Sequence, residues 1–448
     1  MSTVTTESPA LAAWLARIER LHPTEIELGL DRVRRAAQAL AIRIDAVRIV
    51  VAGTNGKGSV CAMLDSIARC AGYRVGLYGS PHLLRFNERI RIDGREIDDG
   101  RLIAAFEAVE AARGDISLTY FEFTTLAALW CFAGEGLDLV VLEVGLGGRL
   151  DAVNIVDADC AVLTSIALDH RDWLGDSRES VGREKAHVFR AGRPAICADP
   201  DPPTTVIDHA AAIGADLWLA GRDFNVSGDR QQWAYGGRAI RRNALAFPAL
   251  RGANQLINAG AVLAAFEALR ERLPIAQQAV REGFAKVALP GRFEIVPGRP
   301  AIVLDVAHNP HAAAHLAVNL DRMGFFPVTH AVFGVMRDKD IDGILAAIGD
   351  RIDHWWLFAL PGARAADPAD LLHRLRALGY GDSGERTAFV VDTAAAALSA
   401  ARSRCGENDR IVVFGSFVTV AEVMKANVRA YNGGSRPSDD SGQDGHNG

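Results

Sequence analysis

The sequence contains no long run of apolar residues. None approaches the roughly 18–20 consecutive residues that a membrane-spanning helix needs. The first residues also lack the basic start and the apolar core of a signal peptide. We therefore expect neither a membrane span nor secretion, and we expect a cytoplasmic protein.

Cysteine is scarce and scattered. The 448 residues include six cysteines, and no two of them form a CxxC pair. In a chain of this length, such spacing excludes a disulfide framework and a cysteine-based zinc site, and it predicts reduced, mostly buried thiols. The cysteines are Cys61, Cys70, Cys131, Cys160, Cys197 and Cys405.

Neither sign of charge is in large excess. The chain has 49 Lys and Arg against 55 Asp and Glu, a formal charge of −6, so nothing in the charge balance favours nonspecific nucleic-acid binding. Hydrophobic residues make up 49% and charged residues 23%, which is typical of globular proteins. At roughly 100–200 residues per domain, the length is enough for two or three domains.

Strand-like and helix-like segments alternate along most of the chain. Continuous apolar runs such as Asp138–Val144 predict buried parallel strands, and repeated strand–helix units predict right-handed crossovers. Prolines and glycines cluster at Pro290–Pro300. We predict an α/β protein of two domains, the first with a mostly parallel sheet and the second smaller and Rossmann-like. The predicted divisions are a domain over 1–290, a linker over 291–300, a domain over 301–431 and a disordered tail over 432–448.

A glycine-rich loop follows the first clear strand and precedes a helix. Backbone N–H groups and the helix dipole favour an anion there, and Lys57 can reach terminal phosphates as a point charge. The loop departs from the P-loop pattern GxxxxGK[ST], because Val51 stands where the first glycine belongs and Gly58 follows the lysine. A metal role for Ser59 therefore stays open. The alternative is a glycine-rich turn with a solvated lysine. The candidate phosphate-binding residues are Gly53, Thr54, Asn55, Gly56, Lys57, Gly58 and Ser59.

Two polar residues near strand ends are candidate metal ligands. Glu143 closes a buried strand, where a lone carboxylate needs a cation or hydrogen-bond donors. The alternative is a carboxylate bonded to the turn Gly145–Gly148, which does not match GxGxxG and so does not favour dinucleotide binding. His170 follows another strand, and a capping or core histidine is its alternative.

Two further groups of residues have plain alternatives. Lys185 lies at the start of a predicted helix, where an ordinary solvated charge run would look the same. His308, His311 and His315 suggest a zinc helix, but HExxH is absent and a proline separates His308 from the helix. The residues alone therefore do not favour a zinc hydrolase.

The loop and several other motifs occur together in one order. In this order and combination they resemble the folylpolyglutamate synthase and dihydrofolate synthase branch of the Mur ligase superfamily, over roughly residues 10–430. The motifs are Gly53–Ser59, Ser80–Leu83 with Asn87–Arg89, Leu142–Asp151, Asp169–Gly175, Gly182–Lys185 and Asp305–Pro310.

The resemblance implies an ATP-binding larger domain and two Mg²⁺ positions. Glu143 and His170 would hold one Mg²⁺, Ser80 and the phosphate loop would serve the second, and Lys185 would be carbamylated. Lys57 and Lys185 would be catalytic residues, and His308 would orient phosphate or assist domain closure. The further nucleotide contacts implied are Asn254, Arg292 and Asp305.

Three segments resemble the acceptor pocket of this family. An aromatic ring can stack on a flat pterin, and a carboxylate can accept its ring N–H groups. Packing at a helix start is the alternative for Phe121, and Glu27 stands where the family has Asp. The implied substrate-binding residues are Ile26, Glu27, Leu28, Thr119, Tyr120, Phe121, Glu122, Leu150, Asp151 and Ala152.

The resemblance implies an ATP-dependent amide ligase that forms an acyl phosphate. It would add L-glutamate to dihydropteroate and to tetrahydrofolate polyglutamates, as a monomer with small-molecule partners and without nucleic acid or membrane. The open alternatives are a folylpolyglutamate synthase alone, another Mur-type ligase acting on a UDP-sugar peptide, and a nucleotide-binding regulatory protein.

Overall fold

The computed structural model describes residues 7–229 and 231–433. None of the helices in these ranges is long and apolar enough to cross a membrane. The last helix includes residues 432 and 433, the first two of the tail that we expected to be disordered, and the rest of that tail lies outside the described residues.

The first part of the chain folds around a large mixed sheet. Its helices are α1 (Pro9–Glu19), α2 (Asp31–Ala39), α3 (Lys57–Cys70), α4 (Asp99–Arg113), α5 (Tyr120–Phe132), α6 (Arg171–Leu174), α7 (Arg178–Ala186), α8 (Thr204–Ile213), α9 (Gln255–Ala268) and α10 (Gln277–Lys286). Its strands are β1 (Val47–Ala52), β2 (Val75–Tyr78), β3 (Ile90–Ile92), β4 (Arg95–Glu96), β5 (Leu139–Glu143), β6 (Cys160–Leu163), β7 (Pro194–Cys197), β8 (Asp216–Leu219), β9 (Asn225–Gly228), β10 (Trp233–Gly236) and β11 (Arg241–Leu245).

The large sheet has the order β4-β3-β2-β5-β1-β6-β7-β8. Strands β2, β5, β1, β6, β7 and β8 are parallel, whereas β3 and β4 form an antiparallel hairpin at one edge. Every residue of β5 is buried, because helices cover both faces of the sheet, and this explains its uninterrupted apolar sequence. Strands β9, β10 and β11 form a separate antiparallel sheet.

The second part of the chain folds around a smaller sheet of order β12-β13-β17-β14-β15-β16. Its strands are β12 (Glu294–Val296), β13 (Ala301–Leu304), β14 (Thr329–Phe333), β15 (His354–Leu357), β16 (Thr387–Val390) and β17 (Arg410–Phe414). Its helices are α11 (Pro310–Arg322), α12 (Ile341–Ile348), α13 (Pro368–Ala377), α14 (Ala394–Arg404) and α15 (Phe417–Gly433). The α/β expectation, with two separate and mostly parallel sheets, is confirmed.

The segment 291–300 is more than the linker we expected. Its short strand β12 pairs antiparallel with β13, so Glu294–Val296 forms the edge of the second sheet. The reason is physical, since an edge position tolerates the flanking prolines that a central strand would not. The predicted limits of the two domains otherwise stay predictions.

Candidate functional site

A cleft of about 680 Å³ is lined by residues from both parts of the chain. Its walls come from the loops after β1, β5 and β6 on one side and after β13 on the other, which is where parallel sheets place their ligands. The predicted nucleotide, metal and catalytic residues all line it: Gly53, Thr54, Asn55, Gly56, Lys57, Gly58, Ser59, Ser80, Glu143, His170, Lys185, Asn254, Arg292, Asp305 and His308.

Tight packing fixes the backbone of the glycine-rich loop. Gly53 has φ +146°, and a Cβ there would lie 1.9 Å from Oγ1 of Thr164. Gly56 caps α3 with φ +93°, and a Cβ there would lie 2.9 Å from Oδ1 of Asn258. Thr54 N donates to Ser165 O at 2.7 Å. The glycines are therefore required by space as well as by conformation.

Lys57 is the first residue of α3 and folds back over the loop. Its Nζ donates to Gly53 O at 3.0 Å and to Thr54 O at 3.3 Å. The positive charge and the N-terminus of α3 thus face the same part of the cleft, which suits a phosphate group. Ser59 is buried, and its Oγ accepts a hydrogen bond from Gln255 Nε2 at 3.1 Å.

Glu143 lies at the carboxyl end of β5, paired in register with Val51 of β1. It is 5% exposed and accepts a hydrogen bond from Ser80 N at 3.3 Å. Burial raises the pKa of Glu143, while the charges of Lys57 and Arg292 oppose this rise. Within the described ranges Glu143 forms no ion pair. A cation bound beside it would therefore not have to displace an ion-pair partner.

Lys185 lies in the last turn of α7 and not at the start of a helix, so that expectation is wrong. Ser177 caps α7, its side chain accepting a hydrogen bond from Ser180 N at 3.1 Å, and the helix therefore begins seven residues before the lysine. Lys185 is 5% exposed and donates to Gly53 O at 3.0 Å. Burial, followed by the charge of Lys57, lowers the pKa of Lys185 to about 7.

Asp169 joins the two halves of the cleft. Lys339 Nζ lies 2.8 Å from its Oδ1, Asn309 Nδ2 donates to its Oδ2 at 3.0 Å, and His308 Nε2 lies 3.6 Å from Oδ2. Burial opposes ionisation of Asp169, but His308 and Lys339 outweigh it, and its pKa lies well below the usual range. Lys339 is not among the residues predicted from the sequence, where it looks like part of a charge run.

His170 follows Asp169 in a left-handed backbone conformation, with φ +50°. It caps the short helix α6 and also lines the cleft, so its capping role and its candidate ligand role are compatible. Burial, followed by the charge of Lys339, lowers the pKa of His170 to about 4. A neutral imidazole is the form that binds a metal.

The second domain presents Asp305 and Arg292 to the cleft. Asp305 Oδ2 accepts from Phe293 N at 2.9 Å and Oδ1 accepts from Ala307 N at 2.8 Å. Burial raises the pKa of Asp305, and the nearby guanidinium of Arg292 opposes the rise. The ring of His308 is held by a contact of 2.8 Å between Nδ1 and Val306 O. Asn254 stands at the start of α9, where its side chain caps nothing.

The three acceptor segments do not line the cleft but pack behind it. Phe121 lies against the turn after β5, because a Cβ on Gly145 would sit 2.6 Å from its ring. Glu122 is buried, accepts from Thr119 N at 2.8 Å and pairs with Arg32 at 3.1 Å. Arg32 also pairs with Glu27. Both carboxylates thus already have protein partners.

Asp151 belongs to one of the acceptor segments and closes the turn that follows β5. Its side chain accepts from Leu146 N at 2.8 Å and from Val153 N at 3.0 Å. Burial raises its pKa to about 6. Leu150 and Ala152 flank it, with Ala152 buried.

The histidines of α11 do not form a zinc helix. His311 and His315 contact each other through Nε2 atoms 3.2 Å apart, and His311 Nδ1 lies 2.9 Å from Asn55 Nδ2. His308 is turned toward Asp169 instead. His311 therefore connects the second domain to Asn55 of the glycine-rich loop, and His308 connects it to Asp169.

Two family models match this sequence. Residues 51–238 match the Mur ligase middle domain, and residues 291–417 match the Mur ligase, glutamate ligase domain. The dihydrofolate synthase/folylpolyglutamate synthase of Escherichia coli (strain K12) is 46% identical over 416 residues, which cover 93% of this chain and 95% of the relative.

Solved structures agree with the sequence comparison. Escherichia coli FolC in complex with DHPP and ADP superposes with a TM-score of 0.89 at 44% identity, covering 96% of this chain and 100% of that one. A bifunctional folylpolyglutamate synthase/dihydrofolate synthase with Mn, AMPPNP and L-glutamate bound superposes with a TM-score of 0.85 at 43% identity, covering 95% and 100%.

Proposed function

Because this chain belongs to the dihydrofolate synthase/folylpolyglutamate synthase family of Mur ligases, we propose that it joins L-glutamate to folate-type carboxylates at the expense of ATP. The composition of the cleft is the main support for this activity. The glycine-rich loop, Lys57 and Glu143 on one side meet Arg292 and Asp305 on the other. This arrangement brings together, in one cavity, hydrogen-bond donors for phosphate, positive charge and a buried carboxylate that has no ion pair within the described residues.

The proposed reaction has two steps. An oxygen of the acceptor carboxylate attacks the γ-phosphorus of ATP, the bond to the β-phosphate oxygen breaks, and ADP leaves. The amine of glutamate then attacks the acyl carbon, loses a proton, and phosphate leaves with the former carboxylate oxygen. Lys57 and the N-terminus of α3 stabilise phosphate charge, and closure by the second domain aligns the reactants.

The residues present fit a divalent cation. Glu143 is buried without an ion pair in the described chain, and His170 is neutral, while Ser80 lies beside Glu143 and adds a hydroxyl oxygen. Together with phosphate and water oxygens, this set suits Mg²⁺. Mg²⁺ would neutralise phosphate charge when bound. Two positions are proposed, with Glu143 and His170 at one and Ser80 with the phosphate loop at the other.

Lys185 is proposed to act as a carbamate. An ammonium ion near Mg²⁺ and Lys57 would be repelled, whereas addition of CO₂ to the neutral amine makes an oxygen-rich anion. Its burial and its lack of an ion pair within the described residues support this. We expect K185A to be nearly inactive and partly rescued by acetate, and K185R to be inactive without rescue. An unmodified amine by ¹³C NMR after ¹³CO₂ labelling of active enzyme would contradict the proposal.

The acceptor is proposed to bind behind the loop, against the three segments already described. Phe121 and Tyr120 offer aromatic faces, and Ile26 and Leu28 offer apolar edges. Because Glu27 and Glu122 both pair with Arg32, recognition of a pterin N–H by either carboxylate must compete with that arginine. Thr119, Leu150, Asp151 and Ala152 complete the proposed pocket.

Both activities can be tested with one experiment. Purified protein is incubated with ATP, Mg²⁺ and L-glutamate and either dihydropteroate or a tetrahydrofolate glutamate, and the products are identified by mass. We expect glutamate to be added to each acceptor. If dihydropteroate is never consumed, the enzyme only extends folylpolyglutamates; if neither acceptor reacts, the ligase proposal is wrong. A monomeric state and a cytoplasmic location also remain predictions. The six free cysteines support the predicted location.

A further inference from the structure

One histidine that lines the cleft has a fixed pattern of hydrogen bonding. His82 follows Ser80 by two residues and lines the same cavity as Glu143 and Lys57. Arg89 Nε donates to its Nδ1 at 2.9 Å. A guanidinium has no acceptor, so Nδ1 must be the unprotonated nitrogen and the proton of the neutral ring must stand on Nε2.

The arginine that sets this tautomer is itself held firmly. Arg89 is 9% exposed, and its guanidinium lies 5.2 Å from the ring centre of Phe86 and 5.5 Å from that of Tyr120. It forms no ion pair with any carboxylate in the described part of the chain. A buried, unpaired cation is costly unless an anion approaches it.

The contact with Arg89 limits what the ring of His82 can do. Because Arg89 occupies Nδ1, the ring cannot accept a proton there. It can present one N–H group, polarised by Arg89, to the cleft.

Building on the proposed function, we propose that His82 binds the acceptor by donating a hydrogen bond from Nε2 to an oxygen of its reacting carboxylate, and that Arg89 is the positioning residue that fixes this donor. The ligand is identified by its chemistry as an anionic oxygen on a substrate whose flat ring lies toward Tyr120. The same N–H can follow that oxygen as it becomes part of the acyl phosphate, where a fixed donor is most useful.

The test compares H82L, which removes the donor, with H82Q, whose side-chain amide can replace it. H82L should lower kcat/KM for the acceptor about 100-fold, the usual scale for one fixed donor, while the binding constant for ATP stays unchanged. H82Q should recover at least about tenfold of that loss. H209L, which changes a histidine outside the cleft, should match the wild type.

The second arm tests the role of Arg89. R89M should resemble H82L, and the double variant should be no worse than H82L, because the two residues act in series. R89K, whose ammonium can still donate to Nδ1, should keep most of the activity that R89M loses. The inference is overturned if H82L equals the wild type, if H82Q is as slow as H82L, or if the loss falls on ATP binding. A wild-type enzyme that adds no glutamate would instead overturn the proposed function.

Discussion

Loss of the Lys339 ammonium should impair turnover by weakening contact between the domains. Lys339 Nζ lies 2.8 Å from Oδ1 of Asp169, and both side chains are 9% exposed. Removing one partner of such a buried pair costs about 3–5 kcal/mol. Asp169 keeps Asn309 and His308, so we take the lower figure of about 3 kcal/mol, which corresponds to about 100-fold in an equilibrium constant.

The variant K339M should therefore lower kcat/KM for glutamate about 100-fold under saturating ATP and acceptor. The matched control is R364M. Arg364 also pairs across the cleft, with Glu25 at 2.7 Å, but these side chains are 45% and 68% exposed. An exposed pair contributes about 0–1 kcal/mol, so R364M should lose no more than about fivefold.

A double variant separates closure from a direct substrate contact. If Lys339 acts through Asp169, D169N with K339M should be no slower than the slower single variant. Losses that multiply would show that Lys339 contacts substrate independently. A K339M enzyme within about threefold of the wild type, or an equal loss in R364M, would refute the reasoning from burial.

Three further outcomes are expected. K57A should fold normally yet lose about 10²–10³ in kcat, measured by ADP release, because phosphate charge would go uncompensated. E143Q should raise the Mg²⁺ concentration for half-maximal rate at least about tenfold, through loss of a charged oxygen, and an unchanged Mg²⁺ titration would show that Glu143 is no ligand. Burial raises the pKa of Asp151 from 3.8 to about 6, so the folded state holds a proton that the unfolded state has lost, and stability should fall as pH rises between these values. D151N should flatten that slope in urea unfolding measured across the window.

The parallel strands were predictable because burial on both faces leaves a simple pattern. Strand β5 differs from the predicted run Asp138–Val144 by one residue at each end. Helices α1, α2, α4 and α8 were not predicted, although Leu11, Leu15 and Ile18 of α1 have helical spacing and are buried. The capping residue Ser177 was also overlooked, and this misplaced Lys185 within its helix.

The site residues could be predicted only where they belong to a sequence motif of the family. Resemblance brought together residues as distant as Lys57 and Asp305, which line one cleft. No local pattern indicates that Lys339 meets Asp169, since 170 positions separate them. The pair Thr119 and Glu122 shows the opposite case, because the spacing T-x-x-E is the sequence signature of the capping box that the structure contains.

Two carboxylates at this cleft, Asp169 and Glu143, have different environments. Asp169 is saturated by Lys339 and Asn309 from the second domain, and its charge is stable without any ligand. Glu143 is more deeply buried but accepts one backbone hydrogen bond, from Ser80, and burial raises its pKa. A bound cation stabilises a carboxylate little if that carboxylate already pairs with a positive side chain. It stabilises a buried carboxylate without such a partner much more. We therefore propose that Asp169 serves closure of the two domains and that Glu143 receives the metal bound with the phosphates of ATP.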